Sequence, residues 1–85
     1  MTGRRVPNDT PWWDYEPGDY GLCDQVWYAR PPVDLRLTGN LSLHEVVEHE
    51  DGTITVSPSI LCSTTVNGEP ASWHGFLERG VWREC

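Results

Sequence analysis

"DGTITVSPSILCSTTVNG", residues 51–68, decides the fold. It opens on Asp-Gly and closes on Asn-Gly, the dipeptides that most strongly mark hairpin turns. Between them Ile54, Val56, Pro58, Ile60, Cys62, Thr64 and Val66 share one face of an extended chain. Thr53, Thr55, Ser57, Ser59, Ser63 and Thr65 share the other, and only Leu61 breaks the pattern. A period of two is the mark of a strand, yet residues 53–66 are too many for one strand of a small domain. Proline removes a ladder donor, so it belongs at an edge, a strand start or a bulge. The stretch therefore predicts two strands divided at Pro58, or one strand bent there around a sandwich or barrel corner. Ser57 and Ser59 can bond the backbone groups freed at the bend.

Outward from this stretch the chain reads as hairpins. Asn67-Gly68 turns it into "ASWHGFLERGVWREC", a last hairpin over 72–78 and 81–85 with Glu78-Arg79-Gly80 at its turn. Upstream, "EVVEHE" breaks the alternation at Val46-Val47, which predicts a bulge or a one-turn helix. "VDLRLTGNLSLHE" puts Val33, Leu35, Leu37, Leu41 and Leu43 on odd positions, with Thr38-Gly39-Asn40 as the predicted turn. "QVWYARPP" is a short strand ended by Pro31 and Pro32. No segment of helical period runs for ten residues. The expectation is an all-β fold, a small antiparallel sandwich or open barrel built from hairpins, over residues 24–85.

Residues 1–23 read differently. Pro7, Pro11, Pro17, Gly18 and Gly21 deny the segment a helix or a long strand. From Asp9 to Asp24 it carries five acids and no base, interleaved with Trp12, Trp13, Tyr15 and Tyr20. The expectation is an extended aromatic and acidic arm. Its four rings either tuck into the chain's own core or dock on another chain, and large rings beside turn residues rarely stay in water. They are the predicted partner-binding residues.

Composition narrows the function classes. An 85-residue chain hides only about 60–65% of its extended surface on folding, so five Trp and three Tyr must supply much of a thin core. Thirteen acids stand against six arginines, a net charge of −7. Such a surface repels phosphates, which argues against direct nucleic-acid binding and against anionic membranes. "MTGRRVPNDTPWW" lacks the apolar run of a signal peptide, and no segment approaches the roughly 20 apolar residues of a membrane helix. Three cysteines without a Cys-x-x-Cys pair suit reduced thiols.

"EHEDGTITVSPSIL" followed by "WHGFLERGVWREC" resembles a domain-of-unknown-function family of small proteins carried by tailed phages and prophages, actinobacterial hosts prominent among them. The family pattern is a T-x-S/T-P-S-I/L strand and then a W/C-H-G/S-F/W/Y-x-x-x-G hairpin. Thr55, Ser57, Pro58, Ser59 and Ile60 match the first, and Trp73, His74, Gly75, Phe76 and Gly80 the second. The match spans residues 48–85 and leaves the N-terminal segment uncovered. Some relatives carry a C-P-x-C and a cysteine beside the hairpin histidine, as if for zinc; here Trp73 takes that cysteine's place and Cys23 stands alone. The resemblance implies a phage origin and a place in the virion or the host cytoplasm. It carries no activity to transfer.

The cysteines, histidines and acids admit three chemistries. Cys23, Cys62, His74 and Cys85 have the donors of a closed tetrahedral zinc site, and zinc would add to the stability of a small core. Their scattered spacing lacks the close pairs that pre-form half a site, and Cys62 lies in phase with Ile54, Val56 and Ile60, where a small buried hydrophobe is the default. The expectation is no metal and no cofactor. His44 and His49, among Glu45, Glu48, Glu50 and Asp51, read as a solvated acidic edge. His74 with Ser72 or Cys62 could be proposed as catalytic, but no nucleophile elbow, phosphate loop or H-E-x-x-H accompanies them. A structural histidine bonding a carbonyl near Gly80 is the expectation instead. Carboxylates could also mimic DNA phosphates, but they cluster in two patches, 9–24 and 45–51. The sequence thus predicts a non-enzymatic protein acting by protein–protein contact: an accessory capsid or tail protein, or alternatively a host-directed or anti-defence inhibitor, or a small zinc-stabilised binding domain. The partner expected is a phage structural protein, a host protein or a second copy.

Overall fold

Pro58 divides two strands. The computed structural model describes residues 1–33 and 36–85. Within them the chain forms β1 Arg4–Arg5, β2 Asp19–Cys23, β3 Val26–Ala29, β4 Gly39–Asn40, β5 Glu45–Glu48, β6 Ile54–Ser57, β7 Ile60–Val66, β8 Glu69–Glu78 and β9 Val81–Glu84. The Ser57–Pro58 peptide between β6 and β7 is cis. The described residues contain no α-helix, only a 3-10 turn at Trp12–Asp14, and thus no helix long and apolar enough to cross a membrane. The fold is all-β and hairpin-built. Among the described residues three sheets run β1-β2-β3-β4, β5-β6 and β7-β8-β9, and none closes into a barrel. All pairings are antiparallel except that of β1 with β2.

Turn chemistry sets the registers. Asn67 and Gly68 both take positive φ (52° and 81°), the geometry of a two-residue turn whose twist matches the strands it joins, and Val66 pairs with Glu69 across it. Arg79 and Gly80 repeat the device between β8 and β9, at φ 46° and 77°. Asp51-Gly52 turns β5 into β6, fixed by an Asp51 carboxylate that accepts the Thr53 N–H at 3.0 Å and the Thr53 hydroxyl at 2.6 Å. Those bonds favour the ionised form and lower the Asp51 pKa.

The core lies where the three sheets meet. Ile54, Val56, Ile60 and Cys62, all on the inward face read from the sequence, are buried with Tyr20, Ala29, Leu41, Trp73, Leu77 and Trp82. Trp73 and Trp82 meet edge to face, 5.3 Å between centroids. Alternation ends with the core: Val66 is 41% exposed, and Thr65 to Pro70 form an exposed hairpin end. The molecule is elongated, 41 × 26 × 23 Å.

Several expectations are corrected. Gly39-Asn40 is not a turn but the strand β4, paired with Ala29 and Tyr28. The Leu run does not keep its phase: Leu41 is buried, Leu43 is 95% exposed in the turn that His44 N–H closes on the Leu41 carbonyl at 3.0 Å, and Leu35 lies outside the described residues. Val46-Val47 makes neither bulge nor helix; β5 pairs regularly with β6. The largest correction concerns residues 1–23. They supply β1 and β2, and the boundary at 23 falls in the turn of the β2–β3 hairpin, where Asp24 and Gln25 take positive φ without a glycine. The segment is part of the fold and not an arm.

Two motif glycines are explained by space. A Cβ on Gly75 would stand 2.4 Å from the Arg83 carbonyl oxygen and 2.5 Å from the Trp73 ring, so only glycine lets Trp73 lie flat along β8. A Cβ on Gly80 would stand 2.6 Å from the Tyr20 hydroxyl, at a φ that L side chains rarely adopt. Gly80→Ala is expected to cost about 1–3 kcal/mol, read as a lower urea midpoint with unchanged slope. A midpoint equal to wild type would contradict the packing of Tyr20 under this turn.

Candidate protein-contact site

The aromatic N-terminal segment splits into two kinds of ring. Tyr15 and Tyr20 are 1% and 2% exposed, whereas Trp12 and Trp13 are 40% and 66% exposed. Alternation along β2 and β3 explains the division. Tyr20 and Ala29 are directly opposed and face the core. Gly21 and Tyr28, the next pair, face the other way. The bare Gly21 leaves room for Tyr15, whose hydroxyl would be 2.9 Å from a Cβ there, and for Val6. Trp12 then stacks on Tyr28, 5.9 Å between centroids with planes 17° apart. Trp13 meets Trp12 edge-on at 5.4 Å. Predicted contact residues Tyr15 and Tyr20 are therefore interior groups. Trp12 and Trp13 are outward ones.

Hydrogen bonds anchor the segment around this platform. Asp19 is buried, and its carboxylate accepts both Arg4 Nε (3.1 Å) and Arg4 Nη2 (2.9 Å), as well as the Glu16 N–H (2.9 Å). The Arg30 guanidinium donates to the Tyr15 carbonyl, and Thr38 Oγ1 donates to the Trp12 carbonyl at 3.3 Å. The remaining acids of the segment, Asp9, Asp14, Glu16 and Asp24, are exposed, and Asp9 and Asp24 are joined by a side-chain to backbone bond of 3.1 Å. Tyr28, the ring beneath Trp12, was not anticipated as part of the site. The period-2 reading of "QVWYA" separates it from Trp27, and nothing local reveals what covers it.

The Tyr15 hydroxyl is buried without a hydrogen-bond partner among the described residues. Burial, with Cys23 adding to it, pushes its pKa up to about 12, and burial raises Tyr20 as well. A raised folded-state pKa means stability present below the unfolded value and lost as pH rises through the folded one. Alkaline unfolding between about pH 10 and 12 is the expected result. Tyr15→Phe removes a buried hydroxyl that bonds nothing, and is expected to raise stability by about 1 kcal/mol, or about 4–8 °C in Tm. A lower Tm for Tyr15→Phe would mean that the hydroxyl has a partner.

The other candidates are structural or scattered. Ser59 sits at the β6–β7 corner and receives two histidines: His74 Nε2 is 2.7 Å from its hydroxyl, and His44 Nε2 is 3.2 Å from its carbonyl. His74 thus ties β8 to the corner at Ser57, Pro58 and Ser59 and bonds no carbonyl near Gly80. His49 Nε2 bonds Thr55 Oγ1 at 2.7 Å, so neither acidic-edge histidine is merely solvated. Cys62 pairs with Trp73 in register, which puts His74 on the opposite face beside Leu61. Burial pushes the Cys62 thiol up, whereas Cys85 is exposed and Cys23 half-buried. Among the described residues no three His, Cys, Asp or Glu are grouped to hold a metal, so Cys23, Cys62, His74 and Cys85 are not brought together.

No family model matches this chain, and no curated protein or solved structure matches it.

Proposed function

We propose that the chain is a non-enzymatic protein that works by protein–protein contact through Trp12 and Trp13, as an accessory virion protein of a tailed phage. One observation carries the contact: two neighbouring indoles stay exposed on a segment anchored by Thr38 at the Trp12 carbonyl, Arg30 at the Tyr15 carbonyl and Asp19 at the Glu16 N–H. Pre-organised aromatic rings are the side chains that dominate interface energetics, because they bury large area at little entropic cost. The four exposed carboxylates Asp9, Asp14, Glu16 and Asp24 favour a partner surface bearing Arg or Lys, and a steered, salt-sensitive association. The phage setting rests on the resemblance of residues 48–85.

The same acidic rim favours one second reading, a host-directed inhibitor that covers a basic host protein in the cytoplasm. Mass spectrometry of purified particles separates the two. The virion reading expects the chain at fixed stoichiometry to a head or tail protein. Its absence from particles, with the chain recovered from infected-cell cytosol, would overturn that setting.

A further inference from the structure

Among the described residues β7 pairs on one side only, with β8, and it carries none of the devices that protect sheet edges. Such edges are normally blunted by charge, proline, shortness or cover. β1 and β4 are two residues each, and β1 is Arg4–Arg5. β5 begins and ends on glutamate. β9 is covered by the N-terminus, through Trp82 N–H to the Met1 carbonyl at 2.8 Å and the Thr2–Val81 bridge. β6 meets the Gly80 N–H on its Ile54 carbonyl at 3.0 Å. β8, where it runs past β9, carries Pro70. β7 spans seven residues with no charge and no proline. In a chain of net charge −7, residues 53–68 contain no charged residue.

The register decides which groups are open. The Asn67-Gly68 turn closes on Val66 and Glu69, so Val66, Thr64, Cys62 and Ile60 bond β8, and Leu61, Ser63 and Thr65 direct their N–H and C=O outward. We propose that this edge pairs with the same edge of a second copy, antiparallel, about a two-fold axis at Ser63. Leu61 of each copy then faces Thr65 of the other and Ser63 faces Ser63, so every outward residue finds a partner. Leu61, 63% exposed, gains cover from the Thr65 methyl. The occupant is a second copy because the strand is self-complementary about its own centre, as a two-fold interface requires. Elsewhere the acids at 9–24 and 45–51 repel an identical chain; along β7 they do not. A dimer of this kind presents two Trp12–Trp13 platforms, although the pairing does not depend on what they bind.

Sedimentation equilibrium over a micromolar concentration range tests the pairing. The expected result is a mass twice the 9.7 kDa of the chain. Thr65→Pro removes an outward N–H, and Ser63→Lys puts two like charges on the axis. Each is expected to raise the dissociation constant at least about tenfold while the circular dichroism spectrum stays that of wild type. Should Thr65→Pro unfold, Ser63→Lys leaves the backbone intact and carries the test alone. Trp12→Ala with Trp13→Ala is expected to keep the dimer. A single-chain mass throughout, an open series of higher masses, a dimer insensitive to Ser63→Lys, or a dimer lost with the two tryptophans would each overturn the proposal.

Discussion

A chain lacking residues 1–22 is expected to be unfolded. The deletion removes β1 and most of β2, and with them the buried side chains of Val6, Tyr15 and Tyr20. Each fully buried ring contributes about 2–3 kcal/mol, against a total of roughly 5–10 kcal/mol for a small domain. Three further ties to the last hairpin go with them: Gly3 N–H to the Gly80 carbonyl at 2.7 Å, Trp82 N–H to the Met1 carbonyl, and the Trp82 indole N–H to the Gly18 carbonyl at 3.0 Å. β3 would lose its longer partner strand and keep only two-residue β4. The truncated chain should show random-coil circular dichroism and no cooperative melt. A sigmoidal melt would mean that residues 24–85 fold alone, and that the N-terminal segment is an arm after all.

Trp82→Ala is expected to be the most damaging single substitution. Trp82 is 3% exposed, meets Trp73 edge to face, and carries a buried side-chain bond that spans 64 positions of the chain. Truncating a buried Trp costs about 3–5 kcal/mol, and the edge-to-face pair adds about 0.5–1.5 kcal/mol. The Gly18 carbonyl would lose one of two donors and keep the Arg4 N–H at 3.1 Å, a further loss of about 1 kcal/mol. Together these approach the whole stability of a domain this size, so the variant should be largely unfolded at 25 °C. Trp82→Phe keeps most of the ring but not the N–H, and should fall between. A Trp82→Ala midpoint close to wild type would show that the last hairpin does not close the core.

What could be read from the sequence was what local chemistry decides. Pro58 lacks a donor, Asn67-Gly68 and Gly80 adopt positive φ, and each of these ends a strand where it stands. Pairing at a distance was not legible. Gly39-Asn40 has the composition of a turn, and becomes a strand only because Tyr28 and Ala29 offer it an edge. The Asp24-Gln25 turn was invisible for the opposite reason, having the required φ without the usual glycine. Residues 1–23 have the composition of an extended arm, because prolines and glycines deny them a helix or a long strand but do not decide whether their rings are buried. Tyr15 is interior only because Gly21, on another strand, leaves a gap for its ring. The candidate site was half legible. Aromatic content singled out Trp12, Trp13, Tyr15 and Tyr20, but which rings face outward follows from the β2–β3 register, which no local pattern encodes.

On the proposed function, Trp12 and Trp13 face outward to contact a protein partner and contribute little to the fold. The most direct measurement is the occupancy of the Trp12→Ala, Trp13→Ala double variant in purified particles, taken with its melting curve. Both rings are at least 40% exposed, so the double change should lower stability by no more than about 1.5 kcal/mol. Occupancy should fall to background. A variant that melts like wild type and still occupies particles at wild-type stoichiometry would contradict the account.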